Sequence, residues 1–237
     1  MLLGIWNTIA CLPTLSTTLN GVVEDSQGNP LNTPTIDVRL RDGGLYESIT
    51  GNEDGRFTAI IPSYQNFFLV VSGSDTLSTS FSGFSGEGEF TIPSGTLWTR
   101  TPEEISALQE KYGSCYTDNN SAFTGMIDGA ARLYIDGQDV EDLPYMTTAT
   151  ASATDVYDQS FDGCYLPQID EETGAEIPSE QTGDSGEFAI FGLKTGLYEL
   201  NVQITVEGST EDYPFVVFVP ENGSTPMYPT LIPFLEE

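Results

Sequence analysis

The sequence predicts an all-β chain: two tandem β-sandwiches joined by one short α-helix. Three observations carry this prediction. The stretch Gly183–Val206 (GDSGEFAIFGLKTGLYELNVQITV) reads as turn, strand, turn and longer strand. Phe188 and Ile190 alternate with smaller or polar neighbours, and Tyr198, Leu200, Val202, Ile204 and Val206 follow at the period of two that a half-buried strand requires. The pattern recurs without a gap at Gly51–Val71. With Gly55 set on Gly186, Phe57 falls on Phe188, Phe67 on Tyr198, Leu69 on Leu200 and Val71 on Val202, the mark of an internal duplication. The match is imperfect, with Ala59 for Ile190, Pro62 for Leu193 and Gln65 for Gly196. Finally, one clear helix start occurs between the copies, at Thr101-Pro102-Glu103-Glu104.

The first sandwich is expected over 18–99, after a leader or anchor segment at 1–17. Thr18–Glu24 reads as a strand, Gln27–Pro30 as a turn, and Thr35–Arg41 as a strand with Ile36, Val38 and Leu40 on one face. Asp42-Gly43-Gly44 is a hairpin signal, after which Leu45–Thr50 returns. Phe57–Ile61 and Asn66–Ser72 come from the repeat. Ser72–Glu89 is rich in Ser and Gly and reads as a loop or a weak pair of strands around Phe81 and Phe84; Glu89–Ile92 and Thr96–Thr99 close the unit.

Residues 100–113 are expected to form the helical linker. Thr101 can cap, Pro102 suits the first helical position and Glu104 completes a capping box. Ile105, Leu108 and Tyr112 follow at helical spacing, a stripe fit to pack on a sandwich, and Gly113 stops the run.

The second sandwich is expected over 114–237, with strands at Ala122–Asp128, Ala131–Asp136, Met146–Val156 and Phe161–Leu166. The acidic segment 167–181 (PQIDEETGAEIPSEQ) has no counterpart in the first copy and reads as a loop. Tyr213–Val219 and Tyr228–Pro233 supply the last strands, with Pro220-Glu221-Asn222-Gly223 as the bend.

The run turn-Gly-x-Phe, then Pro or Leu, then Gly-x-Tyr-x-Leu-x-Val resembles the carboxypeptidase regulatory-like domain. The opening Gly21-Val22-Val23-Glu24-Asp25-Ser26-Gln27-Gly28-Asn29-Pro30-Leu31 resembles that family's first hairpin. The resemblance implies a transthyretin-like (prealbumin-type) seven-stranded β-sandwich for each copy. It says little about function, since one fold hosts many; its name implies an accessory or regulatory domain of an extracellular peptidase or other hydrolase.

Composition narrows the chemistry. The chain holds 36 Asp plus Glu against 7 Lys plus Arg and no His, for a formal charge of −29. Such a field repels nucleic acid and anionic lipid and attracts cations and basic partners. Its plainest reading is a solvated surface that keeps an exported protein soluble. Without histidine, neither a Ser–His–Asp nor a Cys–His nucleophile system can be built, nor a His-containing zinc site. Hydroxyisourate hydrolases and intradiol dioxygenases share or approach this sandwich, but both depend on histidines, so their chemistry does not carry over.

No catalytic, cofactor-binding or metal-binding residue is expected. Gly183-Asp184-Ser185-Gly186 resembles the nucleophile motif of trypsin-like proteases, yet Glu187 follows it and no base exists. No motif singles out a carboxylate pair for glycoside hydrolysis. Calcium is the sharper alternative: Asn52-Glu53-Asp54-Gly55 and Asp170-Glu171-Glu172 cluster hard oxygens, against plainer readings as a β-turn and a solvated loop. Neither has the spacing of the calcium loop that ends in a closing Glu. A Lys–Asn isopeptide bond, known in similar sandwiches, is rejected because Lys111 falls on the helix and Lys194 in a turn. Asn119-Asn120-Ser121 and Asn222-Gly223-Ser224 are glycosylation sequons, meaningful only in a eukaryote.

Three cysteines remain: Cys11, Cys115 and Cys164. Thr8-Ile9-Ala10-Cys11 resembles a bacterial lipobox, although no Lys or Arg precedes the apolar run and Thr stands where Leu is preferred. Lipidation at Cys11, export without it, and plain packing of Leu2, Ile5 and Trp6 on the first sandwich stay open. Cys115 and Cys164 are expected to pair, the alternative being two buried thiols. Together these readings give a non-catalytic protein of the bacterial cell envelope or extracellular space, acting as a structural, adhesive or binding module. Its partner would be a protein or glycan at the cell surface, meeting a sheet face or the 167–181 loop, and the membrane would be touched only through a lipid anchor. The alternatives are the accessory domain already named and a carbohydrate-binding module using Trp98, Tyr116, Tyr157 or Tyr165.

Overall fold

The structure, a computed structural model, describes residues 15–113, 115, 124–134, 138–139, 142–169, 172–174, 176–177, 179–206 and 209–233. Residues 1–14, and with them Cys11, lie outside this set, as do Tyr116, Asn119–Ser121, Asp170 and Glu171.

The strands are β1 (Ser16–Asp25), β2 (Thr35–Leu40), β3 (Leu45–Thr50), β4 (Arg56–Pro62), β5 (Asn66–Ser72), β6 (Thr79–Phe84), β7 (Gly88–Thr91), β8 (Leu97–Thr99), β9 (Gly125–Tyr134), β10 (Ala149–Asp155), β11 (Ser160–Asp162), β12 (Cys164–Tyr165), β13 (Gln168–Ile169), β14 (Glu176–Ile177), β15 (Glu187–Phe191), β16 (Gly196–Val206), β17 (Ser209–Val219) and β18 (Gly223–Pro233). One helix, α1 (Pro102–Lys111), separates β8 from β9. The described residues are therefore all-β apart from that helix, as the alternation predicts.

Two sandwiches form. In the first, a sheet ordered β4-β1-β7, with β8 extending the β7 edge along β1, faces a sheet ordered β6-β5-β2-β3. Leu19, Val23, Ile36, Val38, Phe57, Ile61, Leu69 and Val71 fill the space between. In the second, β12-β15-β9-β18 faces β11-β10-β16-β17 over Ile127, Phe188, Ile190, Tyr198, Leu200, Val202 and Val217. β1, β2, β4 and β10 send alternate side chains inward, and burial of this apolar stripe is what holds the layers.

The duplication extends to topology. β1 pairs antiparallel with β4 and parallel with β7; β9 pairs likewise with β15 and β18. β2 lies between β3 and β5, as β10 lies between β11 and β16. Details agree as well. Gly21 stands opposite Phe57 and Gly129 opposite Phe188, and a Cβ on either glycine would sit 2.7 or 2.8 Å from the ring it faces. Gly55 and Gly186 have φ of +72° and +64°, and each accepts a hydrogen bond from the equivalent strand, Val23 N at 3.0 Å and Ala131 N at 2.9 Å. Only glycine adopts that turn beside a strand carbonyl without cost. Phe57 and Phe188 thus hold equivalent interior places.

Some expectations are corrected. The sandwiches are joined by more than the helix: β6 pairs with β18 through Thr79 and Ser224, so one eight-stranded sheet, β12-β15-β9-β18-β6-β5-β2-β3, runs through both. The break read between Asp128 and Ala131 is absent, and β9 runs unbroken from Gly125 to Tyr134, because Gly129 lies inside the ladder where Phe188 needs room. Of the two readings left open for Ser72–Glu89, the strand holds over Phe81 and Phe84 as β6, as one strand and not a pair. Phe161–Leu166 is broken at Gly163 into β11 and β12, which join opposite sheets. The 167–181 segment contains a small hairpin, β13–β14.

The helix begins as its sequence dictates: Thr101 Oγ1 accepts from Glu104 N at 3.3 Å, and Glu104 Oε2 accepts from Thr101 N at 2.8 Å. Ile105 and Tyr112 bury against Met126, Cys164 and Ala189, on the outer face of the β9–β15 sheet. Cys164 is disulfide-bonded to Cys115, with the Cα atoms 5.6 Å apart. Arg100, just before the helix, holds buried Asp128 through two bonds of 2.5 and 2.7 Å, and Lys111 reaches Glu187 at 2.8 Å.

Candidate binding site

The outer face of the β11-β10-β16-β17 sheet carries a polar cleft of about 510 Å³. Alternation makes it: Ala149, Ala151 and Ala153 of β10 and Leu200, Val202 and Ile204 of β16 point into the core, so Thr150, Ser152, Asn201 and Gln203 point out. Register then sets them side by side, with Thr150 across from Gln203 and Ser152 across from Asn201. Asp162, opposite Ser152 on β11, adds a carboxylate.

The edge of β10 supplies the walls. Beyond β11 the chain bends at Gly163, whose N donates to Ala151 O at 2.8 Å. The Tyr165 hydroxyl turns back into the same edge, accepting from Ala151 N at 2.7 Å. Burial pushes the Tyr165 phenol up, so this hydroxyl stays protonated. Further along, Ala149 N donates to Thr182 Oγ1 at 2.9 Å and Thr182 N donates to Ala149 O at 2.8 Å, which stands Ser179 and Glu180 beside Thr150. The end of the acidic insertion is therefore one wall of the cleft.

The amides are oriented from β17. Asp212 Oδ1 accepts from Asn201 Nδ2 at 3.0 Å and Gln203 Nε2 at 2.8 Å. These two bonds hold the Asp212 carboxyl below the usual carboxylate range. An ionised carboxylate only accepts, so it fixes which end of each amide it meets. Each –NH₂ keeps a second N–H, and Asn201 Oδ1 is buried with no hydrogen-bond partner among the described residues.

A second, more apolar groove of about 390 Å³ lies between the sandwiches, lined by Phe67, Phe68, Pro214, Phe215, Val216 and Met227 among others. Beside it, Phe68 and Val70 of β5 pack on Phe218 and Leu197, with the Phe68 and Phe218 ring centres 6.1 Å apart.

Of the residues singled out in the sequence, Tyr165 and the end of the 167–181 segment border this cleft, and the others fall elsewhere. Asn52 Oδ1 accepts from Asp54 N at 3.0 Å and Arg56 N at 2.8 Å, so the Asn52–Gly55 cluster is a turn whose amide oxygen is engaged. Of Asp170-Glu171-Glu172 only exposed Glu172 is described. Among the described residues no group of three or more Cys, Asp or Glu is placed to hold a metal ion. Gly183–Gly186 is a turn closed by Gly186 N to Gly183 O at 2.8 Å. Lys194 is exposed in a bend. Of the four aromatics, Trp98 packs edge-on against Phe81 and lies under the Arg100 guanidinium at 4.7 Å, Tyr165 is buried, and Tyr116 is outside the described residues. Tyr157 is 86% exposed at the tip of the β10–β11 hairpin. No helix among the described residues is long and apolar enough to cross a membrane.

Sequence reading missed Thr150, Ser152, Asn201, Gln203 and Asp212. One signal was present: on β16 the outward positions carry amides where the equivalent strand of the first copy carries Val70 and Ser72.

No family model matches the chain, and no curated protein matches it. Solved structures do superpose. The Bacillus anthracis TIE protein is 13% identical with a TM-score of 0.30, over 92% of this chain and 34% of its own, so this chain spans about a third of that protein. GBS52, the minor pilin of Streptococcus agalactiae, is 11% identical with a TM-score of 0.32, over 93% of this chain and 97% of its own. A DUF3823 family protein from Parabacteroides merdae is 12% identical with a TM-score of 0.29, over 86% and 98%. Superpositions this loose carry neither a family nor a function to the chain.

Proposed function

We propose that this chain is a non-catalytic binding module of the bacterial cell envelope or extracellular space, and that the cleft on the second sandwich is its binding site. The units 18–99 and 114–237 are two copies of a carboxypeptidase regulatory-like sandwich, with 100–113 as their linker. Cys11 is the point of lipid attachment. The partner is a protein or glycan at the cell surface.

One observation supports the reading above the rest: the same sheet face has diverged between the copies. In the first copy it carries Phe68 and Val70, which are buried against Phe218 and Leu197 of the second. At the equivalent places the second copy carries Glu199 and Asn201, and its face is an open cleft. In the second copy only the Leu197–Phe218 end of the face meets the first copy, and the end bearing Asn201 and Gln203 is polar, concave and uncovered. Polar groups converging in a cleft of this size are what a specific ligand site needs. The absence of any histidine removes the commonest general base, in keeping with binding rather than turnover.

The test blocks the cleft and leaves the core alone. Ser152 points outward, so Ser152→Trp fills the cleft with little effect on packing. The full chain and this variant are run over glycan and peptide arrays, with thermal melting as the fold control. Loss of the wild-type ligands by a folded variant is expected. Equal binding by both would move the function away from the cleft.

A further inference from the structure

We infer that the cleft of the second sandwich takes an organic cation bearing several N–H donors, an ammonium or guanidinium group. This rests on the proposal that the cleft is a binding site and names the chemistry of its ligand.

The groups on offer are acceptors. Asp162 and Glu180 contribute carboxylates from two walls, and none of the lining residues is cationic. Asp212 accepts one N–H from each amide and so holds both –NH₂ ends toward β17. Each amide keeps its oxygen and one further N–H, and the oxygens add to the acceptors. Asn201 Oδ1 is buried without a partner among the described residues, a state that costs free energy unless the side chain turns to meet a donor. Thr150 and Ser152 hydroxyls accept or donate as needed. A ligand that satisfies two carboxylates and two amide oxygens must bring several donors, and positive charge strengthens each such bond.

Size separates an organic cation from a metal ion. A lone hard cation needs oxygens converging at roughly 2.3–2.6 Å. A cleft of about 510 Å³ is the volume of a small-molecule site, and no metal-holding cluster occurs among the described residues. Anionic ligands are opposed locally by Asp162 and Glu180 and globally by the charge of −29.

That charge will gather any cation loosely, so the test must isolate the cleft. Asp162→Asn with Glu180→Gln changes two of 36 acidic residues, both exposed, leaving the diffuse field nearly intact. The full chain in 0.15 M salt, roughly one Debye length of 8 Å, is titrated with spermidine, D-glucosamine and N-acetyl-arginine amide. N-acetyl-D-glucosamine and calcium chloride serve as comparisons. Heats and the side-chain amide signals of Asn201 and Gln203 are read by calorimetry and NMR.

Expected is saturable binding of at least one N–H cation that shifts both amide signals and weakens at least tenfold in the double variant. Response to the amines alone points to a small polyamine or amino sugar. Response to the arginine amide alone points to a basic side chain on a polypeptide. If N-acetyl-D-glucosamine binds as well as D-glucosamine and the double variant keeps it, the cation assignment fails while the cleft remains a binding site. Calcium shifting both signals with the organic cations silent also overturns it. If no probe moves either signal and Ser152→Trp loses no array ligand, both the assignment and the binding reading fall.

Discussion

Asn20 and Asp128 hold equivalent outward positions on β1 and β9, each just before the glycine that faces the core phenylalanine. Their fates differ because of what covers them. Asn20 stays in an exposed polar chain, accepting from Thr58 Oγ1 at 2.7 Å and donating to Glu89 Oε1 at 2.7 Å. Asp128 lies under the helix, and its side chain is fully buried. A carboxylate there needs a paired cation, and Arg100, 8% exposed and stacked on Trp98, supplies it. Arg100→Met should therefore cost about 3–5 kcal/mol, because it leaves a buried charge without its partner. The double change Arg100→Met with Asp128→Leu should be more stable than Arg100→Met alone. Urea denaturation of the three proteins decides it: a double variant less stable than the single would mean the pair is not what holds this junction. Neither residue stood out in the sequence. Arg100 reads as one more polar residue ahead of a cap, and only the fold shows that helix and strand close over Asp128.

Among the elements, legibility followed how local the governing physics is. The helix was readable because its cap, first-turn proline and apolar spacing all lie within a dozen residues, and the structure reproduces its capping box. Leu45–Thr50 and Asn66–Ser72 were read to the residue because turns and alternation bound them. β12 was not, because its place depends on Gly163 breaking a run that alternation alone would continue. The cleft was not, because its residues come from strands and a loop about fifty residues apart and meet only through register. The disulfide sits between these cases: its pairing was expected, whereas its job is visible only in the fold. β12 has two residues and one ladder partner, β15, and the Cys115–Cys164 bond adds a covalent tie to the packing of Cys164 under the helix. The bond closes a loop across a sequence separation of 49, which on loop entropy contributes up to about 4 kcal/mol. Replacing both cysteines with alanine should lower stability by up to that amount. It should also speed amide exchange at Cys164 and Tyr165 more than in β16, since β12 is held at its edge. Hydrogen exchange followed by mass spectrometry reads this directly, and uniform acceleration over the second sandwich would show that the bond acts on the whole unit instead.

At the scale of the molecule, two forces of opposite sign act on the pair of sandwiches. A charge of −29 spread over 237 residues pushes the copies apart, as it does every part of the surface. Opposing it are the β6–β18 pairing, the helix on the β9–β15 face, and the small apolar contact of Phe68 and Val70 with Phe218 and Leu197. Arg39 joins that contact, its guanidinium 4.6 Å from the centre of the Phe218 ring and donating to Gly43 O at 2.9 Å. One of the few cations in the chain is thus placed where the copies meet. This fusion could not be read from the sequence, since a single cross-copy bridge leaves no periodic signal. It makes the copies one cooperative unit only while the contact holds. Phe218→Asp puts a further negative charge into the apolar seam and removes the ring beneath Arg39. The wild-type chain should unfold in urea as one transition, and Phe218→Asp should split it into two. Salt should then restore coupling partway, because screening shortens the reach of the repulsion from about 30 Å at 0.01 M to about 3 Å at 1 M, while apolar contact is not weakened by it. A variant that still unfolds in one step at low salt would show that the shared sheet and the helix, rather than the seam at Phe218, bind the two copies together.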